Sequence, residues 1–435
     1  MRALVVLLAC LAATPSVAAP PRPHVYLVIV DGLDARFVKP ELMPHLFALV
    51  ERERERTSLF PAAVAVMPAR TNPNHVSLLT GVPAAVHGIT GNAYWSRVAG
   101  ARAAKLDEAT LIEVETLFTV IETTDPERVT LGAFGKPKLA HLFGAVPGRQ
   151  RAPDRAWSAL DLPAVRRDYA SGYAADADTV AAVVAAAAEA EPDLAVLNLS
   201  DVDRAGHGNG PDTPEYRSAI GGADAAVSRL VDDLRARGRW ERSVLIVTAD
   251  HGMAAIPEPP VTLAAALGRD VTVVADGGVE HVYANGPPGD ALARAAHVAG
   301  GTRGVAEVLA RVPVEGVTAL ATAHPDWRLD HQRAGDLLLV AAPGYQFADP
   351  PDAEGMPLRG NHGAPGECHV PLVVTGGWAG LRAAPHLAKG PPIIDVAPTI
   401  VAMLGIRRPR RLDGSEISAA DAGRPMDVLA PQSPH

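Results

Sequence analysis

The sequence predicts an α/β fold, a mostly parallel sheet flanked by helices and interrupted by an inserted subdomain. Three observations carry this. Apolar, β-branched runs recur at strand length and stop at polar loops. Helical patterns alternate with them. The stretch 254–354 breaks the rhythm. Runs that are apolar at every position suit strands buried on both faces, and strands alternating with helices imply βαβ units.

The first run, Val25 to Val30, stops at Asp31-Gly32. Leu194 to Leu199 ends in Ser200-Asp201, and Val244 to Val247 runs into Thr248-Ala249-Asp250-His251-Gly252. A fourth run, Val370 to Val374, ends in Thr375-Gly376-Gly377. Thr213-Pro214 opens a helix that reaches to about Arg237, and Ala181 to Ala188 is plain helix. Pro257-Glu258-Pro259-Pro260 opens the inserted stretch, with strands expected at Val271–Val274, His281–Ala284 and Asp336–Val340 and an Ala-rich helix near 289–299. Residues 95–175 are weakly patterned and are read as a second excursion. The domain reading is therefore a signal peptide at 1–18, an α/β core at 19–253 and 355–435, which is expected to carry the functional site, and a cap subdomain at 254–354.

Composition narrows the function. The chain has 435 residues, 48% apolar and 20% charged, which suits a large packed core and excludes general disorder. A net charge of −9 argues against a nucleic-acid polymer gripped by a broad basic surface, but not against a small anionic substrate held locally by metal. Cys10 and Cys368 cannot build a disulfide framework. Met1-Arg2, the apolar run Ala3 to Ala13 and small residues at Ser16-Val17-Ala18 read as a signal peptide cut after Ala18, hence a secreted or periplasmic protein. Leu7-Leu8-Ala9-Cys10 loosely resembles a lipoprotein box. No later stretch is apolar for the length a membrane span needs.

In parallel sheets, ligands bind beyond the carboxyl ends of the strands. Asp31, Asp203 with His207, and Asp250 with His251 follow three of the runs, and His362 sits in Gly360-Asn361-His362-Gly363. An Asp at a loop start is ordinarily a turn or cap residue, and a lone His an ordinary packed one. Three Asp and three His gathered at sheet ends form a mixed imidazole and carboxylate set that suits zinc. Arg70 to Gly81 reads as a turn entering a helix, with Thr71 near its N-cap and Pro73 in the first turn. Thr71 either caps that helix or acts as a nucleophile there, because a metal lowers a hydroxyl pKa and a helix N-terminus favours phosphate.

In order along the chain, these residues carry a resemblance. Asp31, Thr71-Asn72-Pro73-Asn74-His75, Thr80-Gly81-x-Pro83-x-x-x-His87-Gly88-Ile89-x-x-Asn92, Asp203-x-x-Gly206-His207-x-x-Gly210-Pro211, Asp250-His251-Gly252-Met253 and His362-Gly363 together resemble the nucleotide pyrophosphatase/phosphodiesterase family of the alkaline phosphatase superfamily. The resemblance covers about 24–253 and 355–406 and implies an alkaline-phosphatase-like core. It implies two zinc ions, one held by Asp203, His207 and His362, the other by Asp31, Asp250 and His251. It implies Thr71 as a nucleophile that bridges toward the second metal and forms a phospho-threonine. Asn92 and the backbone amide of Asn72 would hydrogen-bond a phosphoryl oxygen.

Neighbouring residues receive plainer readings. His75 and His87 support loops, Asp201 yields the ligand role to Asp203, and Asp395 caps a helix. Lys136 and Lys138 in Gly135-Lys136-Pro137-Lys138 either reach an anionic substrate or, the preferred reading, are solvated, and no P-loop precedes them. Tyr94 and Trp95 are candidates for a leaving-group pocket or, equally, for plain packing. The expected function is a secreted zinc hydrolase of small phosphodiester or pyrophosphate substrates. The alternatives are a phosphomonoesterase or a phosphonoacetate-type phosphonate hydrolase, and a catalytically silent metal-binding protein. No Cys or Ser precedes an x-Pro-x-Arg string, which argues against a sulfatase.

Overall fold

The computed structural model describes residues 21–96, 102–168, 170–348, 358–384 and 390–430. The signal-peptide segment, Cys10 and the 354/355 boundary lie outside the described residues. Among those described, the central sheet has seven strands. They are β1 (His24–Val30), β2 (Ser58–Val64), β3 (Thr130–Phe134), β4 (Arg155–Ser158), β5 (Leu194–Leu199), β6 (Ser243–Thr248) and a last strand, His369–Gly376. In space the order is β2, the last strand, β6, β1, β5, β3, β4. From β6 to β4 the pairing is parallel, with β1 in the middle between β5 and β6. Val25 to Val30 are fully buried, as an all-apolar run between two helical layers requires.

The helices needed for the site are α1 (Thr71–Thr80), α2 (Asp176–Glu189), α3 (Asp201–Asn209) and α4 (Pro214–Ala236). In α4 the buried positions Tyr216, Ile220, Ala223, Val227, Leu230 and Leu234 recur every three or four residues, which makes one apolar face. The Thr213 side chain accepts from Tyr216 N and closes its first turn. By contrast α1 is buried at every position, and the whole helix sits inside the protein.

Three sequence expectations change. The last strand is antiparallel to both its neighbours, β2 and β6. An apolar run does not encode strand direction, and here the reversal matters: the amino end of that strand, not its Gly376-Gly377 end, lies on the same edge as the carboxyl ends of β1, β5 and β6. Residues 95–175 are not merely an excursion, since β3 and β4 belong to the main sheet. They were hard to see because β3 is only five residues long and β4 is an edge strand, half exposed and without an apolar run. Finally β2, interrupted by Pro61, was not expected. Proline survives there because β2 is an edge strand.

After β6 the chain builds a separate antiparallel sheet of four strands, β7 (Val271–Asp276), β8 (Val279–Ala284), β9 (Val305–Ala310) and β10 (Leu337–Ala341), in the order β7-β8-β10-β9. The helix Asp290–Gly300 covers it, and Leu292, Ala295 and Ala299 join Val282, Leu337 and Leu339 in an apolar cluster distinct from the main core. With β7 to β10 numbered, the last strand of the main sheet is β11.

Candidate metal centre

The expected residues converge on one edge of the main sheet. Asp31 follows β1 directly, α3 begins two residues after β5, and Asp250 stands two residues after β6. Asp203 and His207 are one helical turn apart on α3, so they share a face. His362 lies in the loop before β11, and the antiparallel direction of that strand is what delivers it to this edge. Thr71 is the first residue of α1, and Arg70 takes the N-cap position.

Distances bind the set together. His207 Nε2 and His362 Nε2 lie 3.3 and 3.6 Å from Asp203 Oδ1. His251 Nε2 lies 3.5 Å from Asp31 Oδ1, 3.4 Å from Asp250 Oδ2 and 3.4 Å from Thr71 Oγ1. The His251 and His362 rings stack with centroids 3.4 Å apart. Three groups each offer ligand atoms within 4.8 Å of one another: Asp203, His207 and His362; Asp31, Asp203 and His251; and Asp31, His75 and Asp250. The first is one of the two expected trios. The second expected trio is not one such group: His251 and Asp250 each reach Asp31 in a different group, and His75 joins Asp250.

The imidazoles are oriented for ligation. Nδ1 of His251, His362 and His207 meets a backbone carbonyl, of Gly252 (2.9 Å), Ala69 (2.7 Å) and Gly360 (2.9 Å) respectively. A carbonyl only accepts, so each Nδ1 carries the hydrogen and each Nε2 presents a lone pair. Burial lowers the pKa of His251 and His362, which keeps both rings neutral.

The carboxylates lack partners to match. Asp203 Oδ1 and Asp250 Oδ2 are buried without a hydrogen-bond donor, and both face imidazole Nε2 atoms. Burial and the charge of Asp250 raise the pKa of Asp31. For Asp203 the effect of burial is outweighed by Lys136, His207 and His362, which hold it well below the usual range. Three buried carboxylates meet one buried ammonium, Lys136. Burying unpaired charge is costly, so this donor set fits divalent cations.

Lys136 corrects the sequence reading. It is 2% exposed, with Nζ 2.7 Å from both Asp31 Oδ1 and Asp203 Oδ2 and 3.4 Å from Thr71 Oγ1. Those carboxylates outweigh the effect of burial and hold it protonated. The signal was available: Lys136 comes two residues after the carboxyl end of β3, on the same edge as the Asp residues. Lys138 is half-buried, and burial with the neighbouring Lys136 lowers its pKa to about 8.

The other expected residues fall as follows. Asn72 N donates to Asn92 Oδ1 at 3.0 Å, so those two groups are already joined beside Thr71. His75 Nδ1 bonds the Thr71 carbonyl at 2.9 Å, and its Nε2 meets Asn198 Nδ2 at 3.2 Å. His87 stands apart, bonded to Ser77 and Ile89 N and kept neutral by burial. Asp201 pairs with Arg204 and accepts from Asp176 N, away from the cluster. Asp395 is at a helix N-cap position, but its side chain accepts from Arg424 N instead. Tyr94 and Trp95 are half-buried on the hairpin Ala93–Ser96/Arg102–Lys105. Sequence reasoning missed Asn198, Arg70 and Asp276. Asn198 on β5 donates to Asp31 Oδ2 at 2.9 Å, and the one amide in a fully buried strand was its signal.

Comparison with known proteins follows from this geometry. A family model described as type I phosphodiesterase / nucleotide pyrophosphatase matches residues 25–366. An uncharacterized pyrophosphatase/phosphodiesterase of Schizosaccharomyces pombe is 25% identical over 236 residues, which is 53% of this chain and 44% of that protein. The chain spans about half the length of the curated relatives it matches. Among solved structures, an inactive murine ectonucleotide pyrophosphatase/phosphodiesterase 5 in complex with AMP superposes with a TM-score of 0.71 at 19% identity, covering 94% of this chain and 100% of that one. Phosphonoacetate hydrolase from Sinorhizobium meliloti 1021, in complex with phosphonoacetate, gives 0.65 at 22% identity, over 89% and 96%. Both share the fold. Among the described residues, no helix is long and apolar enough to cross a membrane.

Proposed function

From a chain that belongs to the type I phosphodiesterase / nucleotide pyrophosphatase family, we propose a zinc-dependent hydrolase that cleaves phosphodiester or pyrophosphate bonds in small substrates through a phospho-threonine on Thr71. The observation that carries this reading is the placement of Thr71 Oγ1, at a helix N-terminus, 3.4 Å from His251 Nε2, which itself faces the orphaned Asp250 Oδ2 at 3.4 Å. Two zinc ions would be held by Asp203, His207 and His362 and by Asp31, Asp250 and His251. When bound, they supply Lewis-acid stabilisation of phosphoryl oxygens and make the threonine hydroxyl more acidic.

The residues of the chain do the rest. Thr71 Oγ attacks phosphorus as the bond to the leaving oxygen breaks, giving phospho-Thr71 and the released alcohol or phosphate. Water then attacks the same phosphorus, the bond to Oγ breaks, and the Thr71 hydroxyl is restored. The positive end of the α1 dipole, at Thr71, favours the charge of the phosphoryl group. Asn92 Nδ2 donates to a non-bridging oxygen; the Asn72 N–H is spent on Asn92 Oδ1 at 3.0 Å and orients that side chain, instead of donating to the phosphoryl oxygen itself. Lys136 Nζ, 3.4 Å from Thr71 Oγ1, favours the oxyanion form of that oxygen. Trp95, half-buried on the hairpin that follows Asn92, would flank the leaving group, while Tyr94 packs against the main core.

A specific observation also favours a second reading. Lys136 is paired with Asp31 and Asp203 and Arg70 with Asp276, which leaves Lys138, half-buried beside Lys136, as a further cation for a second anionic group. A substrate with a second anionic group beside phosphorus, such as a phosphonoacetate-type phosphonate, would use it. One experiment separates the readings. Purified, zinc-loaded protein is expected to hydrolyse bis-p-nitrophenyl phosphate faster than p-nitrophenyl phosphate, to lose turnover in chelator and to regain it with zinc. Phosphate release from phosphonoacetate exceeding diester turnover would favour the second reading, and no turnover of any of them with metal retained would defeat both.

The reading includes export. Met1–Ala18 acts as a signal peptide, and the mature chain begins at Ala19. Intact-mass analysis of protein from a secreting host checks this, and a retained Met1 in exported material would refute it.

A further inference from the structure

The segment that follows β6 reaches the site through the tip of its first hairpin. Asp276 ends β7 and pairs with Val279, so Gly277 and Gly278 form a two-residue turn. Gly277 has φ +69°, and a Cβ there would lie 2.2 Å from the His362 carbonyl oxygen. A Cβ on Gly278 would lie 2.4 Å from Ala364 N. Only glycine permits so close an approach. Gly278 N donates to the His362 carbonyl at 3.0 Å, which fixes the tip on the loop that carries this imidazole.

Asp276 itself is buried and uses both carboxylate oxygens on the site. Oδ1 lies 2.8 Å from Arg70 Nε, and Oδ2 accepts from Asn92 N at 2.8 Å. Gly91 makes room for the second contact, since a Cβ there would be 2.4 Å from Oδ2. Arg70 immediately precedes Thr71 and donates through Nη1 to Asn361 Oδ1 (3.1 Å) and to the His362 carbonyl (3.0 Å). Asn92 holds the Asn72 amide through Oδ1. One side chain from the inserted segment thus ties together the turn before Thr71, the Asn92 loop and the His362 loop. An asparagine could not replace it in full, because only one of its two terminal atoms accepts.

The geometry points to Asp276 as a positioning residue for the reaction proposed above. It holds Thr71 Oγ1 and Asn92 in mutual register, which makes the inserted segment part of the machinery that reaches the transition state and not only a wall of the pocket. The inference rests on the hydrolase reading. Displacing reacting groups by about 1 Å costs on the order of 10²-fold in rate.

The test uses full-chain, zinc-loaded protein carrying Asp276→Asn, which keeps shape and volume, and Asp276→Ala. Turnover of bis-p-nitrophenyl phosphate, zinc content, thermal midpoint and inhibition by vanadate and by phosphate are measured. Asp276→Asn is expected to lower kcat roughly 10- to 100-fold, with KM and zinc content close to wild type. Vanadate, which mimics the five-coordinate transition state, should lose affinity by the factor kcat loses, while phosphate holds its affinity. Wild-type kcat and vanadate inhibition in Asp276→Asn would overturn the proposal. So would a loss of activity that follows loss of zinc or of folded protein, since that makes Asp276 structural. Should Asp276→Ala not fold, the asparagine variant still decides. A wild-type protein without turnover overturns the hydrolase reading itself, which separates the two failures.

Discussion

Thr71→Ala is expected to abolish turnover of the diester, by roughly 10⁴- to 10⁶-fold in kcat, and to leave the bound metal in place. The size follows from the role. A nucleophile lies on the only covalent route, and removing one from a hydrolase costs rates of this order, with the remainder supplied by binding and charge stabilisation. A loss of 10⁵ corresponds to about 7 kcal/mol of transition-state stabilisation. The fold should tolerate the change. Thr71 is buried, but the helix holds its first turn through other groups: Asn74 Nδ2 donates to the carbonyls of Val66, Pro68 and Arg70, and His75 bonds the Thr71 carbonyl, a backbone group that alanine keeps. The substitution leaves all six Asp and His side chains of the two proposed trios in place, so metal content should stay at the wild-type value. Elemental analysis together with stopped-assay kinetics checks both halves. Residual kcat within tenfold of wild type would remove Thr71 from its role, and Thr71 would then be only the first residue of a helix. Acid-quenched wild-type protein incubated with substrate should carry a phosphoryl group on this residue, readable by peptide mass, and Thr71→Ala should carry none.

Much of this could be read from the sequence, and what could not has physical causes. Continuous apolar runs announced β1, β5 and β6, because a strand covered on both faces has no polar position to spare. The Asp and His residues after them were legible because a parallel sheet puts all its carboxyl ends on one edge. The direction of β11 was not legible. His362 was expected in the site from its motif, and the antiparallel run of β11 supplies the geometric reason it arrives there. Lys136 was misread for a different reason. Lysine is ordinarily solvated, and only the surrounding Asp31 and Asp203 make its burial favourable. Those carboxylates are 105 and 67 residues away in sequence. Asp276 is the furthest from local inference. The sequence Asp276-Gly277-Gly278 reads as a hairpin turn, but nothing near it says that the turn rests on His362. Contacts between separately folded segments are set by the approach of two surfaces, and a single sequence carries that only as unexplained glycines.

His362→Ala is expected to lower the metal content from the proposed two ions per chain toward one, with turnover reduced at least 10²-fold. The argument begins with the ligand atoms. His362 Nε2 faces Asp203 Oδ1 at 3.6 Å, and His207 Nε2 faces the same oxygen at 3.3 Å. Without His362 this trio keeps one imidazole and one carboxylate, which is too few protein ligands for a stable zinc site. The other trio keeps Asp31, Asp250 and His251, each held by a hydrogen bond that does not involve His362: His251, which loses only its ring stacking on His362, by the Gly252 carbonyl, Asp250 by the amides of Gly32 and His251, and Asp31 by Asn198. The loss should therefore fall on one site. His251→Ala makes the contrasting case, because its Nε2 faces Asp31 and Asp250 and also Asp203 at 4.0 Å, so removing it weakens the second trio and leaves Asp203, His207 and His362 in place. Inductively coupled plasma analysis after dialysis at low free zinc reads the stoichiometry directly. Two ions retained by His362→Ala would mean that this imidazole is not a ligand, and that the unpaired oxygen of Asp203 is satisfied by another group. Loss of both ions would mean that the two sites fill only together, which would replace the two-trio assignment with a single shared cluster centred on Asp203.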